Sequence, residues 1–372
     1  MPMAEAVMEI GALIGDRWTG IPAVVAGLAE AALADAEIAW SFMIDTVEVP
    51  RRLVEHMLAR RSGADAARVL ATLAWRQGEI PRATADRAAG LYTNIKPVRR
   101  FFPREAMIVY DLSPLLVPHL HAEASVAWFA DHVRGDIESS EHVFCISRAT
   151  RDDVRAYFRM APHRLSVITP GVAFDPAELS EARVATAGDS CEPYVAIVGT
   201  LEPRKNGRIM LDHLARDPAF ADRYRLVFIG PDGWLDEKAR LLAAAEQAGV
   251  PRDRVVFTGY VAQSGKLALM LNAAFCVYPS VFEGYGLPVL EAAALAKLTV
   301  CSDRTAMPEV APAASIFFDP YDVASLGAAL AQAEARLAAA PPCLSLADLT
   351  ERAAALSPAR AYPPIARWVL GR

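Results

Sequence analysis

The residues richest in chemistry lie between Tyr278 and Ala294, in the run YPSVFEGYGLPVLEAAA. An apolar strand from Ala274 through Tyr278 leads into Glu283-Gly284-Tyr285-Gly286, and Leu287-Pro288 then open a helix. Proline suits a first helical turn, because its missing N–H costs nothing there and its φ is already helical. A helix N-terminus carries roughly half a positive charge, and neighbouring glycines permit close backbone approach, so the main chain of Gly284, Tyr285, Gly286 and Leu287 suits a phosphate or diphosphate. Glu283 flanks this turn from the loop and Glu291 from the helix, so their tasks should differ: one faces a crevice, the other is fixed on a rigid element. The competing reading, two helix-start carboxylates stabilised by the dipole, accounts for their position but not for the glycines between them.

A second constellation lies upstream. Tyr194 to Val198 reads as a buried strand that breaks at Gly199-Thr200, after which Arg204-Lys205-Asn206 open a helix. Two cations at the carboxyl end of a first strand are well placed to neutralise a diphosphate of about two negative charges. The glycine pattern fits neither a dinucleotide fingerprint nor a P-loop.

Strand and helix alternate along most of the chain, which predicts parallel α/β sheets. Val7 to Ile14 reads as a strand, Gly15 to Pro22 as a loop and Ala23 to about Ala36 as a helix. Ala39 to Val49, Ala106 to Tyr110, Glu141 to Ile146 and Leu165 to Ile168 read as further strands, and Ala124 to Ser139 as a helix. Phe174 to Cys191 has little periodicity and reads as a linker. Leu226 to Ile229, Val255 to Phe257, Thr299 to Ser302 and Ser315 to Phe318 continue the strands, with helices over Leu235 to Ala248 and Asp322 to Ala338. Residues 51–105 are less regular and end in the basic, aromatic cluster Lys96-Pro97-Val98-Arg99-Arg100-Phe101-Phe102-Pro103-Arg104. That cluster suits an anionic membrane surface or a lipid-diphosphate, or else a solvated loop with two buried phenylalanines.

At 372 residues the chain has room for two domains with separate cores, and 53% hydrophobic against 22% charged residues fits a globular protein. The net charge of −6 argues against bulk nucleic-acid binding. Cys145, Cys191, Cys276, Cys301 and Cys343 are scattered without metal-ligand spacing, which suggests buried thiols in a reduced compartment. Neither a signal peptide nor a transmembrane span is expected. No D-x-D pair stands at a strand end, and Asp152-Asp153 open a helix where carboxylates suit the dipole.

The paired glutamates, with Gly199 to Asn206, Gly259-Tyr260-Val261, Met307-Pro308-Glu309-Val310 and Tyr110 to Pro114, resemble the signature of family 4 retaining nucleotide-sugar glycosyltransferases of the two-Rossmann B-type fold. The bacterial mannosyltransferases that extend surface polysaccharides look most similar. The resemblance runs almost throughout the C-terminal half but only in patches of the N-terminal half. It implies two Rossmann-like parallel-sheet domains facing a central crevice: residues 1–172 for the acceptor, a linker at 173–192, residues 193–352 for the nucleotide sugar, and a helix at 353–372 crossing back to the first domain.

The resemblance also implies roles. Arg204, Lys205 and the turn amides would hold the departing nucleoside diphosphate, Glu283 the donor's sugar hydroxyls, and Glu291 the ribose hydroxyls. Gly199, Thr200, Tyr260 and Val261 would border the donor, the last two at the base. Gly20 would lie against the diphosphate and acceptor, though an ordinary strand-to-helix turn explains it equally well. Asp111, Ser147 and Arg148 are candidates on the acceptor side; a helix N-cap role for Ser147 competes. Relatives often have a histidine where Tyr110 stands, so a histidine contact to the donor sugar is in doubt there. His119 and His121 follow nearby. Glu309 is a structural or donor-adjacent carboxylate. The expected donor is GDP-mannose, with other GDP- or UDP-sugars next, no catalytic metal, and a saccharide or lipid-linked saccharide as acceptor in the cytoplasm, with peripheral contact to the inner membrane face as an option. A catalytically idle nucleotide-sugar-binding domain is the reading from another class, and a two-domain epimerase fits the fold but not the paired-glutamate turn.

Overall fold

The computed structural model describes residues 3–16, 18, 20–63, 69, 80–186, 192–338 and 345–372. The chain divides into two compact units: Met1–Leu112 with Ala127–Gly171 and Ser357–Arg372, and Ser113–Val126 with Val172–Leu356. Among the described residues no helix is long and apolar enough to cross a membrane.

The first unit is built on seven strands: β1 (Ala4–Glu9), β2 (Ile38–Ile44), β3 (Val47–Val49), β4 (Ala89–Tyr92), β5 (Arg104–Val109), β6 (His142–Cys145) and β7 (Leu165–Val167). Their order is β3-β2-β1-β4-β5-β6-β7, and only β3 runs antiparallel. The expected single strand over Ala39 to Val49 is therefore a hairpin. Asp45, at φ 55°, takes the left-handed turn conformation that aspartate tolerates better than most residues. The first strand is also shorter than expected, because Glu9 Oε1 accepts the Gly11 N–H at 2.6 Å and turns the chain into a short 3₁₀ segment.

The stretch regarded as irregular contains a helix, Arg51–Arg60, and the strand β4 between β1 and β5. All four β4 residues are buried, so the strand lacks the alternation that marks a half-exposed one. Gly90 is required in it: a Cβ there would overlap the Phe102 ring.

In the basic cluster that follows, three of the four cations pair with acids of the same unit, and Arg100 is exposed. Lys96 Nζ meets Glu105 Oε2 at 2.7 Å with both side chains essentially inaccessible, and Glu105 Oε1 accepts the Phe101 and Phe102 amides at 2.6 and 3.1 Å. Arg99 Nε reaches Asp136 Oδ1 at 2.6 Å, and Arg104 pairs with Glu141 at 3.0 Å. Glu105 and Asp136 are buried and need partners, so Lys96 and Arg99 reach toward them. The C-terminal helix Tyr362–Val369 packs in this unit too, with Trp40 Nε1 donating to Tyr362 Oη and Tyr362 Oη to Asp35.

The second unit carries β8 (Tyr194–Val198), β9 (Arg225–Ile229), β10 (Val255–Phe257), β11 (Phe275–Tyr278), β12 (Thr299–Ser302) and β13 (Ile316–Phe318). They form one parallel sheet in the order β10-β9-β8-β11-β12-β13. Its core includes Val195, Phe228, Phe275, Val277 and Val300, runs apolar enough to be read directly from the sequence. Both sheets have the doubly wound order in which sequence direction reverses beside the first strand. The stretch expected as a linker instead contains the helix Pro176–Thr186, which buries Leu179 and Ala182 and packs against the helix Gln263–Asn272. Two buried side chains give too weak a stripe to reveal it.

Replacing Lys96 by Met should strip Glu105 of its partner and destabilise the protein by about 3–5 kcal/mol. Equilibrium urea unfolding would check this, with the Lys96→Met/Glu105→Gln double variant recovering part of the loss.

Candidate functional site

In the second sheet the reversal point lies between β8 and β11, so the chain leaving the carboxyl ends of these neighbours borders one crevice. After β8 come Gly199, Thr200 and Leu201, then a 3₁₀ turn over Pro203–Lys205. Asn206 closes that turn at φ 56° and donates through Nδ2 to the Pro279 and Pro320 carbonyls at 3.1 and 2.8 Å. The Val281 amide donates to the Arg204 carbonyl at 2.9 Å. Two loops far apart in sequence are thus tied together at their backbones.

Their side chains meet at Glu283. Arg204 Nη1 donates to Oε2 at 3.0 Å, while Lys205 Nζ and Ser280 Oγ donate to Oε1 at 2.6 and 2.7 Å. The Glu283 amide donates to Thr305 Oγ1 at 3.0 Å. Burial by itself would raise the Glu283 carboxyl, but Lys205 and Arg204, together with the hydrogen bonds from Lys205 and Ser280, outweigh it and lower it to about 2. Arg204 also presents Nε to Glu202 Oε2 at 2.7 Å. Burial raises the Glu202 carboxyl, with Arg204 and Lys205 opposing the rise.

The expected turn and helix follow. Gly286 sits at φ 107°, where a side chain would be strained, and caps the helix Leu287–Ala294 with Pro288 in its first turn. Tyr285 is buried, and Tyr278 Oη anchors the helix start by donating to the Pro288 carbonyl at 2.8 Å. Glu291 Oε1 accepts from Lys266 Nζ at 2.6 Å. Tyr260 is 44% exposed beside Gly259, and Val261 leads into the helix that carries Lys266. Glu309 lies half-buried on the short helix Met307–Val310.

Arg204, Lys205, Gly199, Thr200, Tyr260, Val261, Glu283 to Leu287 and Glu291 therefore all belong to the second unit, and the structure joins the first two directly to Glu283. Gly20, Asp111, Ser147 and Arg148 belong to the first. Gly20 precedes the helix Ile21–Ala34 at φ 62°. Ser147 is the N-cap of the helix Arg148–Phe158, accepting the Thr150 N–H at 2.9 Å, and is buried, so the capping role is the one observed. Arg148 is exposed on that helix, and Asp111 follows β5 and Tyr110. Burial, followed by the charges of Asp152 and Asp111, raises the Asp153 carboxyl to about 6. His121 stacks on Trp234 at 5.4 Å within the second unit. Among the described residues no group of three or more His, Cys, Asp or Glu is placed to hold a metal ion.

Residues 180–336 match the family model for glycosyl transferases group 1. This segment is a group 1 glycosyltransferase domain. Among curated proteins, the O-antigen chain mannosyltransferase B of Escherichia coli is 29% identical over 239 residues, a match covering 62% of this chain and 61% of that protein. The chain thus spans about three fifths of that relative's length. Solved structures share the architecture end to end: the sucrose-phosphate synthase of Thermosynechococcus elongatus has a TM-score of 0.67 at 18% identity, with 99% of each chain covered. Anabaena HepE, solved in complex with UDP and glucose, has a TM-score of 0.61 at 14% identity, covering 99% of this chain and 100% of its own. These neighbours establish two parallel-sheet α/β domains of the B-type glycosyltransferase fold.

The group 1 domain therefore places a tightly held carboxylate between two cations beside a glycine-capped helix start. Sequence reasoning missed Ser280, Thr305 and Lys266 as parts of this arrangement. Ser280 stands three residues before Glu283 and was open to notice; nothing in the local pattern pointed to Thr305 or Lys266.

The lowered Glu283 carboxyl has a definite sign. Its ionised form is favoured in the folded state, so its contribution is complete above about pH 4.5 and is lost as pH falls towards about 2. The stability gap between wild type and Glu283→Gln should be about 3 kcal/mol at pH 6 and close steadily below pH 4.5, as read by urea unfolding across that range.

Proposed function

We propose that this protein is a retaining hexosyltransferase that moves mannose from GDP-mannose onto a saccharide or lipid-linked saccharide in surface polysaccharide synthesis, acting in the cytoplasm. The observation that carries the reading is the Glu283 carboxylate clasped by Arg204 and Lys205 beside the Gly286-capped helix. The mannosyltransferase relative favours the sugar.

In this reading the donor's diphosphate takes Arg204 and Lys205 as its cations, with Thr200 and the turn of Gly284 to Leu287 along its oxygens. As the cations shift to the phosphates, the Glu283 oxygens become available to the hydroxyls of the sugar. The bond from the anomeric carbon to the β-phosphate oxygen breaks, and the bond to the acceptor oxygen forms on the same face. The acceptor's proton passes to the departing phosphate oxygen. Positive charge that builds on the sugar ring is favoured by the nearby carboxylate, and negative charge on the leaving group by the two cations, an electrostatic arrangement that needs no reorganisation during the step. Glu202 keeps Arg204 directed at the crevice. No metal is assigned a part in this scheme.

Glu283→Gln should lower turnover by roughly a hundredfold or more while leaving nucleotide binding in place. The measurement is transfer and hydrolysis across a panel of sugar nucleotides, beside a thermal-shift titration with GDP and UDP, in which stabilisation grows with the logarithm of ligand over dissociation constant. Turnover near wild type would remove Glu283 from the reaction, and a wild-type protein that binds nucleotide yet turns over no donor would make this a binding domain. A larger shift with UDP than with GDP would replace the donor named here by a UDP-sugar.

A further inference from the structure

Glu291 is fixed from two sides by elements distant in sequence. It projects from the helix Leu287–Ala294, and its Oε1 accepts Lys266 Nζ at 2.6 Å from the helix Gln263–Asn272. The two side chains are only 12% and 18% exposed. Oε2 is buried and makes no hydrogen bond within the described residues. Lys266 has little freedom to leave: its helix is anchored by the buried Leu267 and Met270 and packs against the helix Pro176–Thr186.

A desolvated carboxylate oxygen without a donor is costly, and a ligand hydroxyl that reaches it recovers that cost. The ammonium cancels the carboxylate's charge, so the pair has little to offer a phosphate or a cation. What remains is one oriented, acceptor-only oxygen, which suits neutral O–H donors. Without the ammonium, Glu291 would lose the partner that holds it in place and swing towards water, and the acceptor would be lost.

We infer that Lys266 is a positioning residue that fixes Glu291 as the acceptor for the ribose hydroxyls of the nucleotide, and so makes the site discriminate ribose from a sugar lacking those hydroxyls. This rests on the reading of Glu291 as the group facing the ribose.

Isothermal titration calorimetry of the full chain with GDP and 2′,3′-dideoxy-GDP, and with the corresponding uridine pair, tests it. Wild type should prefer the ribonucleotide by at least about fivefold, the lower end for one recovered hydrogen bond. Lys266→Met and Lys266→Gln should erase most of that preference while dideoxynucleotide affinity stays within about twofold, and Lys266→Arg should restore it. A preference unchanged in both neutral variants, or an equal loss of both nucleotides in both of them, overturns the inference. Glu291→Gln separates the two claims. If it abolishes the preference while Lys266→Met and Lys266→Gln retain it, only the role of Lys266 fails. If wild type shows no preference, or Glu291→Gln keeps it, the reading of Glu291 fails as well.

Discussion

The second unit depends on a carboxylate held where a carboxylate ordinarily would not be. Burying an ionised glutamate costs several kcal/mol, and the cost is met only when partners are close, well oriented and numerous. Glu283 has two cations and a hydroxyl on its oxygens, and its own amide on Thr305. That degree of satisfaction requires the loop after β8 and the loop after β11 to keep a fixed separation. The adjacency of the two strands supplies it coarsely, and the Asn206 and Val281 hydrogen bonds supply it finely. The two cations that stabilise the carboxylate are also the ones proposed to take the donor's diphosphate, so in that reading fold stability and ligand chemistry draw on the same few groups.

The first unit uses similar chemistry for a different end. Lys96 and Glu105 form a pair even more deeply buried than that of Lys205 and Glu283. Glu105 stands near the amino end of β5, whereas Arg204, Lys205 and Glu283 follow the carboxyl ends of β8 and β11. Open parallel sheets bind ligands at the carboxyl edge. Position along the strand, rather than the presence of a buried ion pair, therefore separates a structural clamp from a candidate site.

The same distinction explains what could be read in advance. The strands β8 and β11 are buried throughout and appear in the sequence as unbroken apolar runs, as does β9 after Arg225, and the glycine-capped turn after β11 was visible from Gly284, Gly286 and Pro288. β4 escaped because Ala-Gly-Leu-Tyr has neither the length nor the β-branched content of such a run, and its glycine answers to Phe102, twelve residues further along the chain and invisible as a neighbour until the two are packed. In the basic cluster, charge in the sequence is silent about direction: Lys96 and Arg99 face Glu105 and Asp136, acids that no local pattern pairs with them. Lys266 is the same case within the site. Its partner lies on another helix, and only tertiary packing makes the pair.

The two ends of the proposed donor site therefore work by different physics. At the phosphate end, cations already compensated by Glu283 and Glu202 exchange one set of anions for another, so affinity there depends on how closely the diphosphate reproduces what the carboxylates provide. At the nucleoside end, Lys266 and Glu291 cancel, and what is left is direction rather than charge. Such a division leaves the identity of base and sugar to shape and to hydrogen bonds from loop backbone, including the stretch at Tyr260 and Val261. Those contacts are set by main-chain geometry that many side-chain sequences can produce. A charge motif can therefore announce an activated-sugar diphosphate in a sequence far more plainly than it can announce which base or sugar that diphosphate carries.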